Sequence, residues 1–207
     1  AERVSEIAPN MVIAHYYTAA DVFPLLGTSV RKAILVHDVM ALRAESFRET
    51  GREPDVDQNS IDAETAAFRA ADLCFAIKPS EADHIRKVAP GTAVELLPFS
   101  IDIPANIATE EARFPNCIFV GSYATVNIEA MYWLLEEVWP HVAQVRPDAR
   151  LRIIGSVGDQ APRTLPAGVD VCGIVPDLQA EYNSASIALV PTLYGSGLKI
   201  KLIEGLA

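Results

Sequence analysis

The stretch Ile187-Ala188-Leu189-Val190-Pro191-Thr192-Leu193-Tyr194-Gly195-Ser196-Gly197-Leu198-Lys199-Ile200-Lys201-Leu202-Ile203-Glu204-Gly205-Leu206-Ala207 holds an apolar run that stops at a proline, a Gly-Ser-Gly turn and the start of a helical pattern. Strand, glycine turn and helix start, in that order, make the repeating step of a parallel α/β sheet. Such a turn offers backbone N–H groups to an anion. Lys199 and Lys201 add positive charge beside those donors. At 3.6 residues per turn, Glu204 is expected about two turns into the helix. A ligand with phosphate at one end and hydroxyl groups further along suits this order of groups.

The same alternation runs back through the chain. Met11-Val12-Ile13-Ala14, Ala33-Ile34-Leu35-Val36, Leu73-Cys74-Phe75-Ala76-Ile77 and residues 93–97 read as strands. Residues 39–50, 60–71 and 79–88 read as helices; Ser60 and Glu64 supply a start signal for the second, and Pro79 opens the third. Beyond a stretch broken by Pro98, Pro104 and Pro115, a second set begins. Its strands are Cys117-Ile118-Phe119-Val120, Leu151-Arg152-Ile153-Ile154, Val169-Asp170-Val171 and the run from Ile187, and its helices cover residues 127–144 and 178–184. The expected fold class is α/β, with two Rossmann-like parallel-sheet domains at 1–99 and 116–207 and a linker at 100–115. Gly121, Gly155, Gly173 and Gly195 each follow a strand end, where doubly wound sheets bind their ligands.

Composition narrows the partners. The chain has 207 residues, half of them hydrophobic, enough for one large or two modest cores. Its net charge of −10 disfavours nucleic acid and anionic lipid. Cys74, Cys117 and Cys172 are scattered within or beside apolar runs, which fits buried thiols in a reducing cytoplasm better than a disulfide framework or metal site. No run approaches the ~18 apolar residues of a membrane span. The opening Ala1-Glu2-Arg3-Val4-Ser5-Glu6 is unlike a signal peptide, so a cytoplasmic location is expected. Both ends read as cut, the first domain incomplete at its N-terminal side and the second at its C-terminal side. A dinucleotide oxidoreductase is disfavoured, since no Gly-x-Gly-x-x-Gly follows the first strand of either half.

Three motifs in order, Phe119-Val120-Gly121-Ser122, Gly173-Ile174-Val175-Pro176-Asp177-Leu178 and Pro191 through Ala207, resemble the nucleotide-sugar domain of the retaining, group 1 glycosyltransferases of the GT-B fold. The earlier part resembles the later half of that family's acceptor-side domain. The resemblance implies a hexosyltransferase-like enzyme that moves a sugar from a nucleotide-sugar donor to an acceptor (a glycan, a lipid-linked sugar or a small molecule), with no cofactor and no metal. Carried over by position, Glu204 would bind the donor ribose, and Gly195, Ser196, Gly197 and Leu198 the sugar and diphosphate. Gly121 and Ser122 would close on the phosphates, Ile174 and Val175 would flank the base, and His37 would face the reacting sugar. Lys201 and Lys199 are the candidates for stabilising the leaving diphosphate.

Two positions depart from the family pattern. Ser196 stands where many members have the first glutamate of Glu-x7-Glu, and where many place Arg and Lys shortly after the first glycine loop this chain has only Asn127. A nucleotide-sugar epimerase, or an inactive nucleotide-sugar-binding or scaffold module, are the alternatives. His15, after the first strand, is a lesser candidate, whereas His84 and His141 lie within helices and are unrelated to the site. Asp55-Val56-Asp57 invites a metal reading but falls in an acidic loop, and Trp133 and Trp139 are expected to pack on an apolar helix.

Overall fold

The computed structural model of the protein describes residues 7–101 and 116–206, so residues 102–115 of the expected linker lie outside the described residues. The chain forms two compact units, one of Ala1–Ser100 with Tyr194–Leu198 and the other of Ile101–Leu193 with Lys199–Ala207.

In the first unit, β1 (Met11–His15), β2 (Arg31–Leu35), β3 (Leu73–Ala76) and β4 (Ala93–Leu96) form a parallel sheet in sequential order. The central β3 is a short continuous apolar run and nearly fully buried, as expected of a strand covered on both faces, whereas the edge strand β4 is largely exposed. Ile34, Cys74 and Ala76 are fully buried, with Phe23, Phe68 and Ile85 packed over them. Burial pushes the Cys74 thiol up to about 12, so it serves as a small apolar group. The helices are α1 (Met40–Glu49), α2 (Gln58–Ala70) and α3 (Pro79–Val88), the last opening on its proline. Tyr17–Leu25, which carries no periodic signal, winds as 3-10 turns with Pro24 inside.

The start of α2 differs from the expected one at Ser60. Asp57 caps the helix, its carboxylate accepting from the Ser60 N–H at 2.7 Å, so Ser60 is the third helical residue. A carboxylate at the positive helix end combines the cap bond with a favourable charge term that a hydroxyl lacks. Glu64, expected to complete that signal, is instead buried at 2% exposure, where it accepts from the Met40 N–H at 2.9 Å.

In the second unit, β5 (Asn116–Val120), β6 (Arg150–Ile154), β7 (Val169–Gly173) and β8 (Ile187–Leu189) are parallel in the order β7-β6-β5-β8. The chain builds outward from β5 to β7, then returns to the other side of β5. The reversal puts a topological switch point between β5 and β8, where open α/β sheets bind ligands. The single helix expected over 127–144 is three pieces: α4 (Thr125–Trp133), a π-turn (Leu134–Val138) and α5 (Trp139–Val145). Pro140 explains the break, because it has no N–H for the carbonyl four residues back and its ring crowds that turn. The turn widens instead, with the Trp139 N–H donating to the Leu134 carbonyl. Trp139 is buried and donates through Nε1 to the Ala167 carbonyl at 2.9 Å, but Trp133 is 43% exposed, contrary to the packing role expected for it. Cys172 is only half-buried, its sulfur accepting from Arg152 Nε at 3.3 Å. The remaining helices are α6 (Leu178–Ser184) and α7 (Ile200–Glu204).

Candidate functional site

In the second unit, the switch point brings the loop after β5 close to α7. Gly121 starts that loop, its N–H donating to the Ile154 carbonyl at 2.9 Å. Gly155, after β6, has φ +97°, and a Cβ there would stand 2.3 Å from the Gly121 carbonyl oxygen, so only glycine allows the two turns to touch. Beyond Gly121, the backbone and hydroxyl oxygens of Ser122 each accept from Asn127 Nδ2 at 3.1 Å. The other end of that amide, Oδ1, accepts from Lys201 Nζ at 2.6 Å. Lys201 also lies over the Phe119 ring, 5.4 Å from its centroid. Burial, reinforced by the nearby Lys199 charge, lowers its ammonium pKa to about 8.

Lys199 stands at the start of α7. Glu204 is the fifth residue of this helix, just over one turn in rather than two, because Gly197-Leu198-Lys199 remain outside it. Its carboxylate accepts from the Tyr182 hydroxyl at 3.3 Å, and the same hydroxyl reaches the Lys201 carbonyl at 3.4 Å. Burial raises the Tyr182 pKa, so this phenol stays a neutral donor. Ile174 projects into solvent at 82% exposure, with Val175 half-buried beside it.

The remaining candidate residues lie in the first unit. His37 follows β2 and His15 ends β1, at the carboxyl edge of the sheet. His15 Nδ1 and His37 Nε2 are 3.2 Å apart, so one ring donates to the other, and the Tyr16 ring stacks on His37 at 4.6 Å. Burial and the His15 charge lower the His37 pKa, keeping its imidazole neutral. Tyr194–Leu198 belongs to this unit. Tyr194 is buried edge-on against Phe47, and the Gly195 N–H donates to Ser46 Oγ at 2.8 Å. That donor is therefore engaged, contrary to the expectation of open N–H groups along the turn. Gly197 has φ +76°, and a Cβ there would approach the His37 carbonyl to 3.2 Å. Its own carbonyl accepts from Lys78 Nζ at 3.4 Å. Ser196 Oγ is buried without a hydrogen-bond partner among the described residues, and Leu198 is half-buried.

The acidic pair of the loop has structural duties. Asp55 takes the Arg43 guanidinium on both oxygens, at 2.7 and 2.5 Å, and that fork holds its pKa down. Asp57 is the α2 cap described above. Ser46, Lys78 and Tyr182 escaped the sequence reading. Lys78 lies two residues beyond the end of β3 and was findable by the strand-end rule; Ser46 and Tyr182 lie inside helices with no signal of their own.

Residues 114–207 match the profile of the family described as "Glycosyl transferases group 1". This segment, somewhat under half of the chain, is similar to the group 1 glycosyltransferases. A curated relative, an uncharacterized 44.6 kDa protein in the cps region of Klebsiella pneumoniae, is 26% identical over 102 residues, which are 44% of this chain and 26% of that protein. Among solved structures, sucrose-phosphate synthase from Thermosynechococcus elongatus superposes with a TM-score of 0.71 at 18% identity, over 99% of this chain and 55% of that one. The pneumococcal O-GlcNAc transferase GtfA, in complex with UDP and GlcNAc, gives 0.68 at 14% identity over 99% and 42%. TarM of S. aureus, in complex with UDP among other ligands, gives 0.65 at 14% identity over 95% and 39%. These glycosyltransferase structures establish the GT-B fold of the chain. The chain spans about a quarter of the curated relative and about half of the first structural neighbour.

No helix among the described residues is long and apolar enough to cross a membrane.

Proposed function

We propose that the chain binds a nucleotide-sugar donor and supports transfer of its sugar to an acceptor, with retention of configuration. The observation that carries this is the Lys201 ammonium, held at the switch point of the second sheet by an amide that also ties down the Gly121-Ser122 loop. Breaking a sugar–nucleotide bond builds negative charge on the leaving diphosphate, and a fixed cation in a water-poor setting stabilises that charge. Glu204, oriented by Tyr182, serves as acceptor for the ribose hydroxyls. Ile174 and Val175 offer an apolar rest for the base. Gly195, Ser196, Gly197 and Leu198 serve the sugar and diphosphate, and Gly121 and Ser122 serve the phosphates. Neutral His37 serves the reacting sugar, with its tautomer set by His15.

No divalent cation takes part in this reading: lysine neutralises the diphosphate, so chelation with EDTA leaves transfer intact. Lys199 is the lesser of the two lysines. Lys201→Ala is expected to lower transfer roughly 10²–10³-fold, the range for removing a leaving-group stabiliser, and Lys199→Ala only mildly. Single-mutant kinetics with the donor selected by a saturation-transfer NMR screen of nucleotide sugars test this. A severe Lys199 effect beside a mild Lys201 effect would overturn the assignment. Donor binding without transfer or hydrolysis would favour the inactive binding module.

A further inference from the structure

We propose that Asn127 is a positioning residue: it presents the Lys201 ammonium to an anionic ligand while leaving the charge of that ammonium uncompensated. The inference rests on the nucleoside-diphosphate reading of the site. Its geometry, however, is independent of any ligand. An ammonium has only donors, so Oδ1 must be the amide end that faces Lys201 at 2.6 Å. Nδ2 then donates to both oxygens of Ser122, at 3.1 Å each, and the amide cannot turn without breaking all of these bonds. Asn127 is 7% exposed, and a Cβ on Gly121 would approach its own Cβ to 3.2 Å. The side chain is therefore clamped from the loop side as well as the lysine side.

Chemistry explains why an amide is suited to this place. A carboxylate in the same position would also hold Lys201, but as a closed ion pair, and its own charge would repel a diphosphate. A neutral oxygen accepts one ammonium proton and leaves the net charge for the ligand. The groups facing Lys201 bear this out. Phe119 and Asn127 are neutral, the Tyr182 phenol meets the Lys201 carbonyl, and the Glu204 carboxylate is engaged by that phenol. Among the described residues, the charge that shifts its pKa is repulsive, from Lys199.

The test uses the 207-residue chain, with UDP as probe and calorimetry as readout, on wild type, Asn127→Ala, Lys201→Met and the double variant. Asn127→Ala is expected to weaken UDP roughly tenfold, about the worth of one hydrogen bond to a charged group, in wild type but not in the Lys201→Met background. Equal losses in both backgrounds would mean that Asn127 acts independently of Lys201, and would overturn the proposal. In parallel, NMR titration of the Lys201 side chain without ligand should show Asn127→Asp raising its midpoint and Asn127→Ala lowering it. Midpoints that stay at the wild-type value in both variants would likewise overturn it. Failure of the wild-type chain to bind UDP or any other nucleoside diphosphate counts against the proposed function alone, because the ligand-free titration still decides whether Asn127 governs Lys201.

Discussion

At the scale of single residues, Lys201 is held between two opposing demands, burial and charge. Burial brings its pKa to about 8, so the charge that a diphosphate needs is lost just above neutral pH. The sign follows directly. Below that pH the ammonium is present and the anion binds; as pH rises through it, the bare amine offers no counter-charge. Nucleoside diphosphate affinity should therefore fall above pH ~8, and bound ligand should raise the lysine's midpoint, since a nearby opposite charge favours the charged form. Calorimetry across that range checks both, and affinity flat to pH ~10, where an ordinary lysine titrates, would refute them. Glu204 admits a separate test. Glu204→Gln keeps an oxygen acceptor but removes its charge, so donor binding should weaken by about 1.5–3 kcal/mol with the fold intact. Unchanged affinity would take Glu204 out of the site.

At the scale of elements, the cap of α2 separates two readings that sequence alone leaves close together. Asp57 and Ser60 are both good cap residues, three apart, and either could begin the helix. The structure gives the role to Asp57, so Asp57→Ala should lower stability measurably in chemical denaturation and Ser60→Ala much less. Glu64 makes a pH prediction of its own. Burial raises its pKa to about 8, above its unfolded value, so the stability it contributes is full below pH ~4.5 and is lost as pH rises through ~8. Glu64→Gln, which keeps the acceptor for the Met40 N–H, should flatten that fall. Strands such as Cys117-Ile118-Phe119-Val120 were legible in the sequence because a buried parallel strand has little alternative to a continuous apolar run. The π-turn at Leu134–Val138 was not, although Pro140 marked it, because a proline says that a helix must adjust without saying how. The candidate site was legible where glycine turns follow strands. It was illegible where its parts meet only through folding, as Asn127 meets Lys201 across 74 positions of sequence.

At the scale of the whole molecule, the net charge of −10 sets a background that the candidate site has to overcome. A nucleotide sugar is itself an anion, so the long-range field opposes its approach, while Lys201 acts at contact distance from a half-buried position. Salt treats these two terms differently. Screening weakens the interaction of exposed, distant charges beyond a Debye length of about 10 Å at 0.1 M, and weakens a buried contact much less. Raising salt from about 20 to 200 mM should therefore leave donor affinity unchanged or slightly higher, and should speed association by damping the repulsion. A polyanion such as nucleic acid, bound through many exposed cations, would instead lose several orders of magnitude over a similar range. Calorimetry and stopped-flow binding at both salt concentrations distinguish these behaviours. A steep loss of nucleotide affinity with salt would mean that the anion is held by exposed lysines and arginines on the surface, and the Lys201 site would lose its claim to the diphosphate.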